Sequence, residues 1–577
     1  MSRDINPNPV RVFAATSSIG AAATRLPGLR AQGGPGLAWF AVLIALIVIA
    51  PVLALLGVAL SPAASQSDAV TGALGHLLGT VLPGYAMQTL MLVALVLVLV
   101  LILGVGSAWL IAAFEFPGRR FLEVALILPL AMPAFVMAYA YTDALDASGP
   151  LQSALRRWMN WEVGDYWFPQ VRTLPGAAVF LALALYPYVY MLARSAFADR
   201  NPTMADAARS LGLSPVRVWW QITWPVARPS VAAGVALVTM ETLADFGTVS
   251  FFAVDTFSAG IYRAWQSMGD RVTAAQLALV LLVIVIVLVR LEHHQRGRMA
   301  FHVRGPRPAE RTRLSGRAAG VALALCAVPV LLGFVVPCGL LLRSWWLEGG
   351  GFDPRLPQWL GNTALLSGMA VFLTVPCALA VAYALRLAGS RGLIWAARLS
   401  GFGYAIPGVV MGVGLLAVLA AWDRGPGALT GLLLGGSALA VVYAYCARFF
   451  AVAQQGLEAA LQRISPSMDA SARSLGCSPM QVLVRVHWPL LRVSLATAAL
   501  LVFVDCLKEL PATLVLRPFN MDTLAVVSYQ FASDERLAQA ALPSLLIVLA
   551  SLLPVLLLAR TFAQWQGMRY DSVSAGA

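Results

Sequence analysis

"ARSLGLSPVRVWWQITWP", Ala208 to Pro225, returns later in the chain as "ARSLGCSPMQVLVRVHWP", Ala472 to Pro489. Arg209 and Arg473, Pro215 and Pro479, and Pro225 and Pro489 are each 264 residues apart, so the chain is a tandem repeat. Local signals in the first copy predict a short helix around Pro202–Leu211, a stop at Gly212, then a cap at Ser214 with Pro215 at the first helical position. The same reading fits Pro466–Leu475, Gly476, Ser478 and Pro479. Two short helices about a glycine also outline a DNA-binding helix-turn-helix. Here the second helix carries Val216, Val218, Trp219 and Trp220, and long apolar runs abut both copies, which excludes nucleic acid as the partner. A re-entry hairpin alone would not require the same sequence twice. Each copy therefore reads as a compact surface knob.

The surroundings explain why such a polar element is conspicuous. Of 577 residues 59% are hydrophobic and 12% charged, and the mean hydropathy is +0.78, which excludes an ordinary soluble domain. Runs of roughly 20 apolar residues, enough to cross a bilayer core as helices, recur along the chain. Twelve are expected, near 38–60, 88–113, 122–142, 174–194, 229–250 and 275–291, then 318–342, 362–385, 399–421, 429–447, 493–515 and 541–559. The first is too long for the apolar core of a secretory signal and is expected to be retained.

The net charge of +13 follows topology. Arg3, Arg11, Arg25 and Arg30 precede the first run, the loop Ser61–Tyr85 has no Lys or Arg, and Arg290, Arg296, Arg298, Arg304, Arg307, Arg311, Arg313 and Arg317 crowd the middle of the chain. The positive-inside rule then puts both termini in the cytoplasm. The expected organisation is a cytoplasmic leader (1–37), a first six-span half (38–292), a basic linker (293–317) and a second six-span half with a short tail (318–577), the halves being related as a parallel repeat. His293, His294 and His302 in the linker read as part of a hydrated loop rather than a metal site. All six cysteines lie in the second half without a CxxC pair, as small core residues.

In each half the knob follows the fourth span. Its pattern of an acid, two alanines, three residues, a glycine, nine residues and then Ile-x-x-Pro resembles the EAA loop of ABC importer permeases. The first copy, within about 201–228, reads Asp206, Ala207, Ala208, Gly212, Ile222 and Pro225. The second, within about 465–492, departs from the pattern with Asp469 one residue early, Ala470 at the acidic position, then Ser471, Ala472, Gly476, Val486 and Pro489. The resemblance implies that Asp206, Ala207, Ala208, Gly212 and Pro215, with Asp469, Ser471, Ala472, Gly476 and Pro479, form two coupling helices docked on two copies of a separate ABC ATPase. The chain's only lysine is Lys508, so it contains no GxxxxGK[ST] phosphate loop. It is expected to be non-catalytic and to bind no cofactor directly, the partner ATPase using the ATP; Schiff-base chemistry at Lys508 lacks a recognisable cofactor site.

Ionisable groups inside spans are costly and mark pathways. Glu241 and Asp245, four residues apart, share a helix face, as do Asp505 and Glu509, and the spacing of 264 maps each pair onto the other. A parallel repeat places these four carboxylates around the central axis, where they would lower the barrier to a hard multivalent cation while coordinating it only transiently. The competing reading is ion pairing within the bundle, Glu509 with Lys508 or Arg517, and capping of broken helices near Gly247 and Pro511. Tyr139, Tyr141, Tyr186, Tyr188 and Tyr190 could add phenol contacts to the path, but aromatic belts at the membrane boundary explain most such tyrosines.

The strings "LADFGTVSFF" and "LKELPATLVLRPF", with two six-span halves in one chain, resemble the ferric-iron branch of ABC permeases over nearly all of Leu37–Arg560. The resemblance implies an all-α polytopic membrane protein of about 12 transmembrane helices, two tandem six-helix halves of the type I, MetI-like kind. It also implies a bacterial inner (cytoplasmic) membrane location and a periplasmic substrate-binding protein as partner. Fused thiamine permeases share the architecture, but no aromatic cage for an organic cation is evident. Sulfate and molybdate permeases are relatives whose oxyanions an acidic path would repel. A proton-coupled carrier using the same four acids has no need of paired docking knobs.

Overall fold

A computed structural model describes residues 35–60, 79, 81–198, 202–297, 311–347, 351–388 and 390–574. The expected leader through position 34, most of the first loop, His302 and the linker residues 298–310 lie outside the described residues.

Helices dominate because a chain crossing lipid must satisfy its backbone polar groups internally. Among the described residues eight helices are long and apolar enough to cross a membrane: Trp39–Ala59, Leu82–Ala113, Leu174–Ala198, Arg271–Arg290, Gly316–Leu347, Leu356–Leu387, Pro479–Leu507 and Leu537–Leu557. Two further expected spans are bent pairs, Arg119–Ala131 with Ala134–Met159 at 92° and Arg391–Ala405 with Gly408–Arg424 at 117°, which makes up to ten. The two remaining positions are helices of 21 and 25 residues, Trp224–Ala244 and Ala438–Gln462, whose apolar character is diluted by Arg228 and Glu241 in one and by Arg448 and Glu458 in the other. The run expected at 429–447 is also displaced to Ala438–Gln462, because Gly431 and Gly436 take positive φ (70° and 72°) and hold the preceding residues in turns.

The duplication is kept element by element. Leu174–Ala198 and Ala438–Gln462, the knobs Pro202–Ser210 and Pro466–Ser474, and the one-turn π-segments Trp219–Thr223 and Leu483–His487 are all 264 residues apart. The earlier helices keep a different spacing, 274, seen in Pro83 and Pro357 and in Thr89 and Thr363. Those threonines do the same work: Thr89 Oγ1 accepts from Phe257 N (3.3 Å) and Thr363 Oγ1 from Leu524 N (2.9 Å).

One continuous core joins the two repeats. Their leading helices are exchanged: Pro35–Ala59 packs on Arg391–Ser400 and Gly408–Arg424, and the helix through Leu331–Val335 packs on Leu128–Ala131 and Leu174–Ala198. The exchange is fixed by close backbone approaches. Tyr141 donates to Leu332 O at 2.6 Å and Tyr443 to Ile47 O at 2.5 Å. A Cβ on Gly414 would stand 2.5 Å from Pro51 O, so only glycine admits the crossing. A two-residue parallel ladder, Phe114–Glu115 with Thr312–Arg313, ties the end of the linker to the first repeat.

Candidate functional site

The two knobs have the same construction. In the first, Leu211 N, Gly212 N and Leu213 N donate to the carbonyls of Ala207, Arg209 and Ala208 at 3.1, 2.9 and 3.1 Å; in the second, Leu475 N, Gly476 N and Cys477 N donate to Ser471, Arg473 and Ala472 at 3.2, 2.9 and 3.1 Å. The chain can leave each helix this way because Gly212 and Gly476 adopt φ of +85° and +86°. Ser214 then accepts from Arg217 N, and Ser478 and Gln481 form a reciprocal capping box, with Pro215 and Pro479 opening the next helices. Ala208 and Ala472 are buried against the body. Asp206, Ala207 and Ser471 face outward. Leu211 and Leu475, 83% and 84% exposed, stand at the tips, flanked by exposed Met204 and Met468. Each knob thus presents an apolar tip on its outer surface.

Asp469 does not share that surface. Asp206 is exposed and paired with Arg209 at 3.5 Å, whereas Asp469 is buried and points into the body of the protein. A shift of one residue along a helix turns a side chain by about 100°, so the early acid in the second copy changes sides. Arg386 Nε, at 2.8 Å, and His487 Nε2, at 2.7 Å, hold its carboxylate. Desolvation raises its pKa, but the hydrogen bonds from Arg386 and His487 outweigh burial and hold it below the ordinary aspartate value.

The four carboxylates expected along a path lie where each repeat's fifth helix breaks. Asp245 Oδ1 accepts from Thr248 Oγ1 at 3.0 Å and Oδ2 from Val249 N at 3.1 Å, closing the first turn of the helix Gly247–Phe251. Glu509 Oε1 accepts from Ala512 N at 3.1 Å and does the same for Pro511–Leu516. Its other oxygen pairs with Arg448, both side chains being buried. The expected pairing of Glu509 with Lys508 or Arg517 is thereby corrected: Lys508 Nζ is 2.9 Å from Asp505, and Arg517 pairs with Asp522. Gly408 makes room for the Arg448 pair, since a Cβ there would lie 2.6 Å from both Arg448 Nη1 and Glu509 Oε1.

Glu241 is different. Tyr404 donates to Glu241 Oε1 at 2.8 Å, and among the described residues no base pairs with it. Tyr188 lies beside Tyr404, within electrostatic reach of Glu241, Asp505 and Lys508. Carboxylate and phenol oxygens from both repeats thus meet at one level of the bundle, with two of the four acids neutralised by Lys508 and Arg448. Among the described residues no group of three or more His, Cys, Asp or Glu side chains is arranged to hold a metal ion.

The belt reading of the tyrosines is overturned. Tyr139, Tyr141, Tyr186 and Tyr190 are buried; Tyr139 shares a hydrogen with Ser528 at 2.7 Å across the repeats, and Tyr190 donates to Glu123 O at 3.0 Å. Belt and core tyrosines have the same composition, and only packing separates them. The six cysteines are free.

Sequence reasoning missed Tyr404, Arg448, Arg386 and the buried ionic cluster in which Arg119 meets Glu115 and Glu123, each at 2.9 Å, while Arg194 also pairs with Glu123. For Tyr404 a signal existed: "LAMPAF" (130–135) aligns with "YAIPGV" (404–409) at the spacing of 274, setting Leu130 against Tyr404.

Residues 101–296 match a family profile described as the binding-protein-dependent transport system inner membrane component. Over 480 residues the chain is 27% identical to the Fe(3+)-transport system permease protein FbpB 2 of Haemophilus influenzae, covering 82% of this chain and 88% of that one. It is 22% identical to the ferric transport system permease protein FbpB of Actinobacillus pleuropneumoniae over 70% of this chain and 60% of the relative. The molybdenum transport system permease protein ModB of Escherichia coli is 26% identical over 34% of this chain but 88% of its own length, the proportion expected of a single repeat.

Proposed function

We propose that the chain is an inner membrane component of a binding-protein-dependent transport system and forms the pathway of an ATP-driven importer of ferric iron. In this reading the protein is a multi-pass inner-membrane permease with both termini in the cytoplasm. The parts 38–292 and 318–577 act as two permease halves joined by the basic linker. A periplasmic binding protein delivers the cargo, and two copies of an ABC ATPase, which alone hydrolyse ATP, bind the knobs.

The observation that carries the reading is the pair of identically built knobs, each with an outward leucine tip, in a chain that aligns nearly end to end with a ferric permease. Power strokes from two ATPases have to reach two halves, and a rigid projection on each half transmits them. Gly212, Pro215, Gly476 and Pro479 shape the knobs; Asp206, Ala207 and Ser471 face the ATPase, Ala208 and Ala472 seat the knobs on the body, and Asp469 orients the second from within.

For the path, Glu241 and Asp505 with the Tyr188 and Tyr404 hydroxyls offer hard oxygen donors suited to Fe(III). Asp245 and Glu509 serve it indirectly by closing the broken helices that frame it. Few free acids means weak, transient coordination, which conduction requires.

The test is radioactive ferric-iron uptake into proteoliposomes holding this chain, its ATPase and its receptor. ATP-dependent iron entry is expected. ATP hydrolysis stimulated by the loaded receptor without iron entry would overturn the cargo and keep the transporter, with thiamine next to be tried. Iron entry that persists without the ATPase would overturn the importer and favour a proton-coupled carrier.

A separate result is expected at the turns. Valine at Gly212 or Gly476 has to adopt a left-handed backbone at a penalty of about 1–2 kcal/mol. Copurification of the ATPase should fall about tenfold for each, with membrane insertion unchanged. Undiminished copurification would count against these turns as docking elements.

A further inference from the structure

The two knobs are alike in shape and unlike in how they are fastened. In the second repeat Arg386, near the end of the helix Leu356–Ala388, reaches three places at once. Its Nε donates to Asp469 Oδ2 on the knob at 2.8 Å, its Nη2 to Ile464 O at 3.0 Å, and its Nη1 to Leu461 O, both carbonyls belonging to the chain that enters the knob. One turn earlier Tyr383 donates to Pro479 O at 2.6 Å, the first residue of the helix that leaves it. The Tyr383 ring meets His487 edge-on at 5.5 Å, and His487, fully buried, completes the ring of contacts by holding Asp469 Oδ1 at 2.7 Å. A carboxylate only accepts, so Nε2 carries the proton and donates. One helix end therefore grips the knob, its entry and its exit through directional, charge-assisted bonds.

Among the described residues the first repeat carries no counterpart of the Arg386, Asp469 and His487 set. Residues 274 positions before Tyr383 and Arg386 are Trp109 and Ala112, and the position 264 before His487 is Thr223. At these positions stands an aromatic stack: Trp109 meets Phe197 at 5.3 Å and Trp219 at 6.2 Å, and Trp219 stacks on Trp224 at 5.6 Å. Apolar burial of this kind is less directional than charge-assisted hydrogen bonding. Asp206, on the other side of its helix, contributes nothing to the fastening beyond a surface pair with Arg209.

We propose that Arg386, Asp469 and His487 are positioning residues that lock the second knob to the helix Leu356–Ala388, so that the two halves receive ATPase motion unequally. The second knob is held through ions and the first through packed rings, which makes the second the stiffer lever. The proposal rests on the coupling role given above to the knobs, and it makes the sequence departure at Asp469 and Ala470 a functional difference between the repeats.

Hydrogen exchange of the full chain in detergent tests the fastening without reference to transport. The amides of Pro466–Ser474 are expected to exchange more slowly than those of Pro202–Ser210. Arg386→Met and the nearly isosteric Asp469→Asn should each accelerate the second knob about tenfold and leave the first unchanged. Equal exchange of the two knobs in the native chain, or no acceleration in a folded Asp469→Asn chain, overturns the lock. In proteoliposomes with ATPase and receptor, the same variants should keep the ATPase bound and raise the ATP hydrolysed per iron imported at least about fivefold. An unchanged ratio in variants whose second knob has loosened overturns unequal coupling. A native chain that binds no ATPase fails the underlying function while leaving the exchange result to decide the lock.

Discussion

Glutamine at Glu509 is expected to be the most damaging single substitution in the protein. It leaves the Arg448 guanidinium buried with its carboxylate gone, a situation that costs about 3–5 kcal/mol. It also weakens the acceptor that closes the helix Pro511–Leu516. The yield of folded protein and the midpoint of thermal unfolding should both drop sharply, and Arg448→Met alone should do nearly the same. The double variant Arg448→Met with Glu509→Leu should recover most of the loss, because removing both ions of a buried pair is commonly close to neutral. Gly408→Ala offers an independent check. Its methyl would intrude to 2.6 Å on both partners, so it should mimic the single variants although it removes no charge. Single variants as stable as the native chain would show that water reaches this pair and that it does not organise the core.

The second large effect is expected at Glu241, and in transport rather than stability. Glu241 has a hydroxyl partner, Tyr404, and among the described residues no base in direct contact, so glutamine preserves its shape and removes a charge outside any ion pair. At an effective dielectric of about 20, a carboxylate about 4 Å from a unit positive charge contributes about 4 kcal/mol, and a multivalent cargo gains more. Glu241→Gln should lower ATP-dependent iron uptake at least about tenfold while the ATPase stays bound. If charge is the quantity lost, Lys508→Gln in the same chain should recover part of the uptake by freeing Asp505. Normal uptake in Glu241→Gln would reduce the central acids to packing elements.

These two residues show how legible the site was. Both were found from sequence as acids in the fifth span of their halves, and the capping role near Gly247 and Pro511 was among the readings. Their difference in role was not visible. It depends on Arg448, which lies 61 residues before Glu509 on another helix, and on Tyr404, which sits at the bend between Arg391–Ala405 and Gly408–Arg424. Asp469 follows the same logic: its presence one residue early was plain, but Arg386, 83 residues upstream, is what turns it from a docking residue into a buried anchor.

What the sequence determined by itself were the features written in local chemistry. The repeat at a spacing of 264, the knobs, their positive-φ glycines and proline starts, and most spans follow from turn propensities and runs of apolar residues, which act over a few neighbours. The tertiary structure alone decided the exchange of the leading helices, the sharp bends of two spans, the burial of the tyrosines, and the partner of each charge. In a membrane bundle these depend on which helix faces are pressed together. A helix of leucine and alanine carries the same local signal whichever neighbour it meets, whereas a buried charge is stable only where packing brings it an opposite one.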